Sequence, residues 1–142
     1  MSKKDKRVFL ICPVRNATPE QVQRMNDYIS KLETSGTKVH YPARDTMQDD
    51  VTGYWICNDN TQAIREADEV HIFWDPQSTG SLFDLGAAFA LKKPLTIVNV
   101  EDLVRTEGKS FTNMILRWAL ASTEDDEKVQ KLEKTLWPGT DS

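Results

Sequence analysis

Short apolar runs alternate along this chain with longer segments in which apolar residues recur every three or four positions. The first run, residues 7–12, is almost continuously apolar, as expected of a strand buried on both faces of a parallel sheet. The other predicted strands are residues 38–41, 69–74 and 95–100. The alternation therefore predicts strands that are connected by helices.

The helix after the first strand has clear end signals. Thr18 is its predicted N-cap, Pro19 occupies the first helical position, Gln21 completes a capping box, and Gly36 ends the helix. Four more helices are predicted over residues 54–67, 82–93, 111–121 and 124–137, with a long loop over residues 42–53. This order predicts a three-layer α/β sandwich of the flavodoxin or Rossmann type, with a central, mainly parallel sheet and helices on both faces.

The composition fits a single globular domain over residues 1–142. Of the 142 residues, 39% are hydrophobic and 28% are charged, and a chain of this length buries a sufficient core without disulfides or structural metal. No repeat or linker divides the chain. The charged residues 1–6 are expected to be disordered or frayed.

Charge and cysteine usage exclude several classes of protein. Eighteen Lys and Arg against 22 Asp and Glu give a net charge of -4 without a basic stripe, so nucleic acid is not an expected partner. The first apolar run is too short for a signal sequence or a membrane span, so we expect a cytoplasmic protein without membrane association. The two cysteines and two histidines lack the spacing of a zinc site, and no metal or organic cofactor is called for.

Ligands of such sheets bind beyond the carboxyl ends of the strands. The segments at that edge are residues 12–18, 41–53 and 75–84. In the first segment, Pro13, Arg15 and Asn16 follow the strand directly. A guanidinium at a helix N-terminus, such as that of Arg15, can hold a phosphate or carboxylate through two parallel hydrogen bonds. The alternative is an exposed arginine in a turn, and the motif alone does not separate the two.

The last segment contains an acidic residue at a strand-to-helix turn. Gly80 permits the tight turn and Ser81 is the predicted N-cap, which places Asp84 in the first helical turn, where the helix N-terminus favours an ionised carboxylate. Such a carboxylate can attack an anomeric carbon or stabilise an oxocarbenium ion. The alternative is that Asp84 only completes a capping box with Ser81.

Three polar residues, Asn58, Asp59 and Asn60, interrupt the apolar pattern of the helix predicted over residues 54–67. Residues of this kind compete with the backbone hydrogen bonds of a helix interior, and such a local cost often marks a site. The alternative is a helix that begins only at Asn58 or Asn60, with the polar cluster as its cap.

Aspartate and aromatic residues at strand and helix ends are further candidates. Asp75 follows the third strand and is suited to bind a ribose hydroxyl, although Asp-Pro is also an ordinary turn opening. Tyr54 is suited to stack on a base, as are Tyr41, Trp55 and Trp74, but aromatic residues in such places more often belong to the core.

The order of these motifs resembles the nucleoside 2-deoxyribosyltransferase superfamily, which also includes deoxynucleoside monophosphate N-glycosidases. The loop with Pro and Arg, the segment IREAD at residues 64–68 and the segment GSLFDLGAA at residues 80–88 carry the resemblance, which covers about residues 7–100. It implies that Asp84 takes the place of a glutamate nucleophile that attacks C1′ of a deoxyribose. It also implies that an acidic residue one turn before IREAD handles the sugar or the base, and that the first loop binds sugar or phosphate.

The chain departs from the family pattern at these same positions. Asp84 stands where glutamate is usual, so its carboxylate reaches about 1.5 Å less, the length of one carbon–carbon bond. Counting four residues back from IREAD leads to Asn60, whereas Asp59 lies about 100° away around the helix. Cys12 and Asn16 replace glycines of the first loop.

The leading hypothesis is a protein that binds a nucleoside or nucleotide and cleaves or transfers at its N-glycosidic bond. Asp84 would act at C1′, and Asp59 or Asp75 would assist the leaving base or orient the sugar. The predicted substrate contacts are Pro13, Arg15, Asn16, Tyr54, Asn60, Asp75, Gly80 and Ser81, with the amides of Asn16 and Ser81 holding hydroxyls or a phosphate.

Two other hypotheses stay open. The departures from the family pattern motivate a catalytically impaired nucleotide-binding module that acts as a sensor or sequestering protein. The third hypothesis is a flavodoxin-like interaction domain without a small ligand. For the family members, the resemblance implies a homodimer or a larger symmetric oligomer.

Overall fold

A computed structural model describes residues 5–139 of the chain. Within this range, the strands are β1 (Arg7–Ile11), β2 (Lys38–His40), β3 (Glu69–Ile72) and β4 (Leu95–Ile97). The helices are α1 (Pro19–Thr34), α2 (Pro42–Asp45), α3 (Tyr54–Glu66), α4 (Thr79–Ala90), α5 (Phe111–Ala121) and α6 (Asp126–Leu136), with a 3-10 turn at Val100–Asp102. None of the helices in the described range is long and apolar enough to cross a membrane.

All four strands run parallel, in the order β2-β1-β3-β4. The chain moves outward from β1 to β2 on one side of the sheet and from β3 to β4 on the other, so the direction of winding reverses between β1 and β3. In open α/β sheets, ligands bind beyond the carboxyl ends of the strands at such a reversal. The predicted parallel sheet is confirmed, and its topology points to the loops after β1 and β3.

Helices cover both faces of the sheet, as predicted. Alternate side chains of a strand point to opposite faces, and Phe9 and Ile11 of β1 belong to a core shared with α3, α4, α5 and α6. Leu10, between them, packs with Met25 and Ile29 of α1 in a second core. The three-layer α/β sandwich is therefore confirmed.

The start of α1 agrees with its sequence signals. The Thr18 Oγ1 accepts a hydrogen bond from the Gln21 amide at 3.1 Å, and the Gln21 Oε1 accepts one from the Thr18 amide at 2.9 Å. This reciprocal pair is the predicted capping box, and it directs the loop after β1 into α1.

Two strands end earlier than the apolar pattern predicts. β3 ends at Ile72 and β4 ends at Ile97, whereas the predictions extend to residues 74 and 100. The side chain of Asn99 explains the difference, because its Oδ1 accepts from the Trp74 amide at 2.8 Å and its Nδ2 donates to the Trp74 carbonyl at 3.0 Å. A side chain rather than a strand thus satisfies the backbone of Trp74.

The N-terminus of α4 lies three residues before its predicted start. The first helical residue is Thr79 and the N-cap is Ser78, whose Oγ accepts from the Ser81 amide at 3.3 Å. The prediction of Ser81 as the N-cap is therefore wrong. Asp84 is the sixth helical residue, so it lies beyond the first turn and does not form a capping box with Ser81.

The N-terminus of α3 lies well before its polar cluster. The helix begins at Tyr54, so a start at Asn58 or Asn60 is wrong. The preceding loop supplies a cap that the sequence does not reveal, because the Asp50 carboxylate accepts a hydrogen bond from the Trp55 amide at 2.7 Å. The polar cluster consequently lies in the interior of the helix.

Of residues 1–6, which were expected to be disordered or frayed, residues 1–4 lie outside the described residues. Lys6 is anchored on both sides: its carbonyl accepts from the Lys38 amide at 2.9 Å, and its Nζ lies 2.8 Å from the Glu69 carboxylate. The loop predicted over residues 42–53 contains the single turn α2, which begins at Pro42.

Candidate functional site

A cavity of about 380 Å³ opens where the loops after β1 and β3 meet. The loop after β1, the segment around α2, the first half of α3 and the N-terminal half of α4 line it. The predicted site residues on its walls are Arg15, Asn16, Asn60, Gly80, Ser81 and Asp84. Small-molecule sites have volumes of roughly 300–1,000 Å³, so the cavity is large enough for one small ligand.

Among the described residues, Asp84 is the one acidic residue on the walls of this cavity, and it is largely buried there. Burial raises the pKa of its carboxyl from 3.8 to about 7, although a hydrogen bond from Asn60 favours the charged form. The expectation that the helix N-terminus keeps Asp84 ionised is therefore wrong. At the sixth helical position, loss of hydration outweighs the helix dipole, which acts within the first turn.

Asn60 is buried next to Asp84 and is the end of a hydrogen-bonded chain. Its Oδ1 accepts a hydrogen bond from the Thr46 Oγ1 at 2.7 Å, and the same hydroxyl lies 2.8 Å from the His40 Nε2. Sequence reasoning missed Thr46 and His40. Thr46 lies in the nominated segment 41–53, but no spacing indicates that its hydroxyl meets α3.

Asp59 and Asp84 are not brought together. Asp59 is exposed and lies outside the cavity, whereas the next residue, Asn60, is buried on its wall. One residue along a helix turns the side chain by about 100°. The structure thus places a neutral amide beside Asp84 and leaves Asp59, a predicted second catalytic group, outside the cavity wall.

Arg15 is the one basic residue that the described part of the chain contributes to the cavity wall. Within residues 5–139, its guanidinium has no ion pair, and it is exposed to solvent. Asn16 also lines the cavity and adopts a left-handed backbone with φ of 64°. Pro13 is buried and is not part of the wall. The loop after β1 therefore offers one cation to a ligand.

The start of α4 provides fewer free amides than predicted. The Ser81 amide already donates to the Ser78 Oγ at 3.3 Å, and the two serine hydroxyls lie 2.8 Å apart. Gly80 lines the cavity, and a side chain at this position would meet open space. The predicted use of the Ser81 amide for an anion therefore competes with the helix cap.

Asp75 and Tyr54 lie outside the cavity. Asp75 lines a neighbouring cavity of about 540 Å³, and its Oδ1 accepts from the Gln77 amide at 2.9 Å, as in an ordinary turn. Tyr54 is 65% exposed at the start of α3. Of the other aromatic candidates, Tyr41 and Trp74 are buried in the core. A direct contact with a ligand in the cavity is therefore not supported for these residues.

Both cysteines lie on the cavity wall, a feature that sequence reasoning missed. Burial raises the pKa of the Cys12 thiol to about 12, and burial likewise raises that of Cys57; the charge of Asp84 acts in the same direction on both. The two thiols are therefore protonated at neutral pH. Among the described residues, no group of three His, Cys, Asp or Glu side chains could hold a metal ion.

The fold is shared with solved structures of low sequence identity. A 2-deoxyribosyltransferase from Bacillus psychrosaccharolyticus superposes with a TM-score of 0.59 and 19% identity over 87% of this chain and 95% of that chain. A CMP N-glycosidase from Clostridium botulinum has a TM-score of 0.51 and 23% identity over 91% and 97% of the two chains. A conserved protein from Enterococcus faecalis has a TM-score of 0.53 and 12% identity over 93% and 89%.

Sequence comparison identifies the family. No curated protein matches the sequence. The model of the family described as nucleoside 2-deoxyribosyltransferase matches residues 8–116, which include β2, β3, β4, all of β1 except Arg7, and the residues that line the cavity. Because the match spans most of the chain, the chain belongs to the nucleoside 2-deoxyribosyltransferase family.

Proposed function

We propose that this protein binds a nucleoside or nucleotide in the cavity and cleaves or transfers at its N-glycosidic bond. The observation that carries the proposal is the position of Asp84. Asp84 lines the cavity and is only 8% exposed, in a chain that belongs to the nucleoside 2-deoxyribosyltransferase family. A desolvated carboxylate beside an open cavity is suited to react with an electrophilic carbon.

In the proposed reaction, the deprotonated Asp84 attacks C1′ of the sugar. The bond between C1′ and the base nitrogen breaks, its electron pair leaves with the base, and the base takes a proton from water. The resulting ester between Asp84 and the sugar is hydrolysed by water or displaced by a second base. Asn60 is neutral, lines the same wall as Asp84 and favours its charged form. Since residues 5–139 place no second carboxylate on the cavity wall, they favour the nucleophilic route over a route through two carboxylates.

Arg15 suggests that the substrate includes an anionic group. It is the one basic side chain on the wall, and its guanidinium is free to bind a ligand. Guanidinium and phosphate form paired, charge-assisted hydrogen bonds. We therefore include 5′-monophosphates beside nucleosides among the candidate substrates.

The first test measures the release of free base. The protein is incubated with a panel of deoxynucleosides and deoxynucleoside monophosphates, with and without a second base, and the products are separated by chromatography. We expect base release by the wild type and a loss of roughly a thousandfold or more in Asp84→Ala. Asp59→Ala is the matched control, because Asp59 is exposed outside the cavity. Equal rates for wild type and Asp84→Ala would reject the proposal.

A nucleotide-binding module without catalysis is the second candidate. The neutral Asn60 and the short Asp84 side chain favour it, because a misplacement of about 1 Å costs roughly a hundredfold in rate. The same panel, measured by thermal unfolding, separates the candidates. A higher melting temperature without base release indicates a binding module, since a ligand of the folded state raises its apparent stability. No change with any compound favours the interaction domain.

We also propose that the chain forms a homodimer or a larger symmetric oligomer. Val51, just before α3, and Tyr54 and Trp55, at its start, are 103%, 65% and 57% exposed. Clustered exposed apolar side chains often mark protein interfaces. The cytoplasmic location and the single domain over residues 1–142 stay predictions.

A further inference from the structure

A buried hydroxyl connects Asn60 to a histidine that lies outside the cavity wall. Thr46 and Asn60 are each 5% exposed, and their side chains are 2.7 Å apart. His40 ends β2, and its ring stacks on Phe9 with centroids 5.3 Å apart and planes inclined by 11°. The stacked ring presents its Nε2 to the Thr46 Oγ1 at 2.8 Å. The polar chain is thus held by packing at its far end.

The number of available protons determines which group donates in each hydrogen bond between His40, Thr46 and Asn60. The Thr46 hydroxyl has one proton, which it donates to the Asn60 Oδ1. The His40 Nε2 must then carry a proton and donate it to the Thr46 Oγ1. Asn60 and Asp84 line the same cavity wall, and the interaction with the Asn60 side chain favours the charged form of Asp84. Because the Asn60 oxygen is occupied by Thr46, the amide nitrogen of Asn60 is the group left to face the Asp84 carboxylate.

The reversed arrangement of these hydrogen bonds favours the neutral, protonated form of Asp84. If the Asn60 amide turned by 180°, its oxygen would face Asp84, and two acceptors would meet unless Asp84 were protonated. The Asn60 nitrogen would then donate to Thr46, and the Thr46 proton would point to an unprotonated His40 Nε2. The orientation of the Asn60 amide and the protonation of Asp84 are therefore coupled.

We propose that Thr46 and His40 are positioning residues for Asp84, because they hold the Asn60 amide with its nitrogen towards the Asp84 carboxylate. Their effect on Asp84 does not require a substrate. Its meaning for catalysis rests on the proposed function, in which the carboxylate is the nucleophile. Desolvation favours the protonated and unreactive form of Asp84, and the hydrogen bonds that end at Asn60 partly offset this effect.

Other charged groups lie near His40 and near Asp84, the two ends of the hydrogen-bonded chain, and they also influence titration there. Around His40, the charges that act on the imidazole are those of Arg44, Asp45, Asp59 and Glu66, and burial is the largest influence and lowers its pKa. Around Asp84, the ionisable neighbours are the Cys12 and Cys57 thiols, with Arg15 on the cavity wall. None of these side chains belongs to the hydrogen-bonded chain, so removal of the Thr46 hydroxyl leaves them in place.

The test follows the carboxyl carbon of Asp84 by NMR between pH 4 and pH 9, without substrate. In Thr46→Val, we expect the Asp84 titration to move upward by about one pH unit, because the Asn60 amide loses its anchor. His40→Phe should move it in the same direction, and Thr46→Ser should restore the wild-type value. Thr135→Val is the matched control, since the Thr135 Oγ1 bonds only its own helix, at the Lys131 carbonyl.

Identical Asp84 titrations in wild type, Thr46→Val and His40→Phe would overturn the inference. If Thr46→Val does not fold, His40→Phe carries the same test. Where base release is measurable, Thr46→Val should lower kcat more at pH 6 than at pH 8.5, with KM little changed. A shifted Asp84 titration in a protein that releases no base would reject the proposed function and leave the positioning role intact. Base release by a protein whose Asp84 titration is unshifted in these variants would support the proposed function and reject the positioning role.

Discussion

Asp84 experiences two opposing influences, and their balance determines its chemistry. Desolvation raises its pKa to about 7, while the Asn60 hydrogen bond lowers it. A side chain one methylene longer would reach further into the cavity, whereas Asp84 stays close to α4 and is 8% exposed. The carboxyl is therefore protonated in a substantial fraction of molecules at neutral pH. A nucleophile in this state works best on the alkaline side of neutrality.

We predict that kcat/KM for base release rises with pH through about 7 and is flat above pH 8. The reason is that the free enzyme must lose the Asp84 proton before attack, and the pKa of that carboxyl is about 7. The measurement is the pH profile of kcat/KM between pH 5 and pH 9, with a nucleoside whose base does not titrate in this range. A nucleotide is unsuitable, because its phosphate has a pKa of about 6. A profile that is flat from pH 5 upward would contradict the assignment.

The N-terminus of α4 both stabilises its helix and lines the cavity. Ser78 caps the helix by accepting from the Ser81 amide and lies 2.8 Å from the Ser81 hydroxyl. Ser78, Gly80 and Asp84 all line the cavity, so any movement of this helix end displaces the wall of the site. The cap on α5, at Ser110, is chemically similar and lies outside the cavity wall.

We predict that Ser78→Ala and Ser110→Ala each lower the free energy of unfolding by about 1 kcal/mol, the usual cost of losing an N-cap. Only Ser78→Ala should also weaken ligand binding or base release, by several-fold, because only its helix lines the cavity. Urea unfolding and the base-release assay measure the two effects. If both variants lost activity equally, stability rather than cavity geometry would be responsible.

The whole molecule is destabilised by the buried carboxylate that the proposed reaction needs. The folded-state pKa of Asp84, about 7, lies above its ordinary value of 3.8. Ionisation therefore favours the unfolded chain. This contribution reduces stability as pH rises from about 4, and its full cost is present above about pH 7. The difference between the two pKa values corresponds to at most roughly 4 kcal/mol.

We predict that Asp84→Asn is more stable than the wild type at pH 8, by up to about 4 kcal/mol, while it loses base release. The gain should shrink as pH falls and be less than about 1 kcal/mol at pH 4, where Asp84 is neutral in the folded state and about half ionised in the unfolded chain. Urea unfolding at pH 4, 6 and 8 measures it. Asp59→Asn is the control, because Asp59 is exposed and outside the cavity. A less stable Asp84→Asn at pH 8 would show that burial does not penalise this carboxylate.

Local sequence signals were sufficient for the layered architecture and the order of its elements. Apolar runs predict strands and helical periodicity predicts helices, because burial of one face depends on residues that are close in sequence. The Thr18 capping box was predicted correctly for the same reason. Ligands of parallel sheets bind beyond the carboxyl ends of the strands. This rule and the family resemblance both indicated Asp84 and Arg15, which line the cavity.

Tertiary contacts decided the rest, because they join residues that are distant in the sequence. Asn99 ends two strands by bonding Trp74, 25 positions away. The pairing of Thr46 with Asn60 joins residues 14 positions apart on different elements. The pKa of Asp84 depends on how completely other elements exclude water from it, which its helix position alone does not reveal. Sequence pattern thus determines which elements form, whereas their packing determines which polar side chains meet and how they ionise.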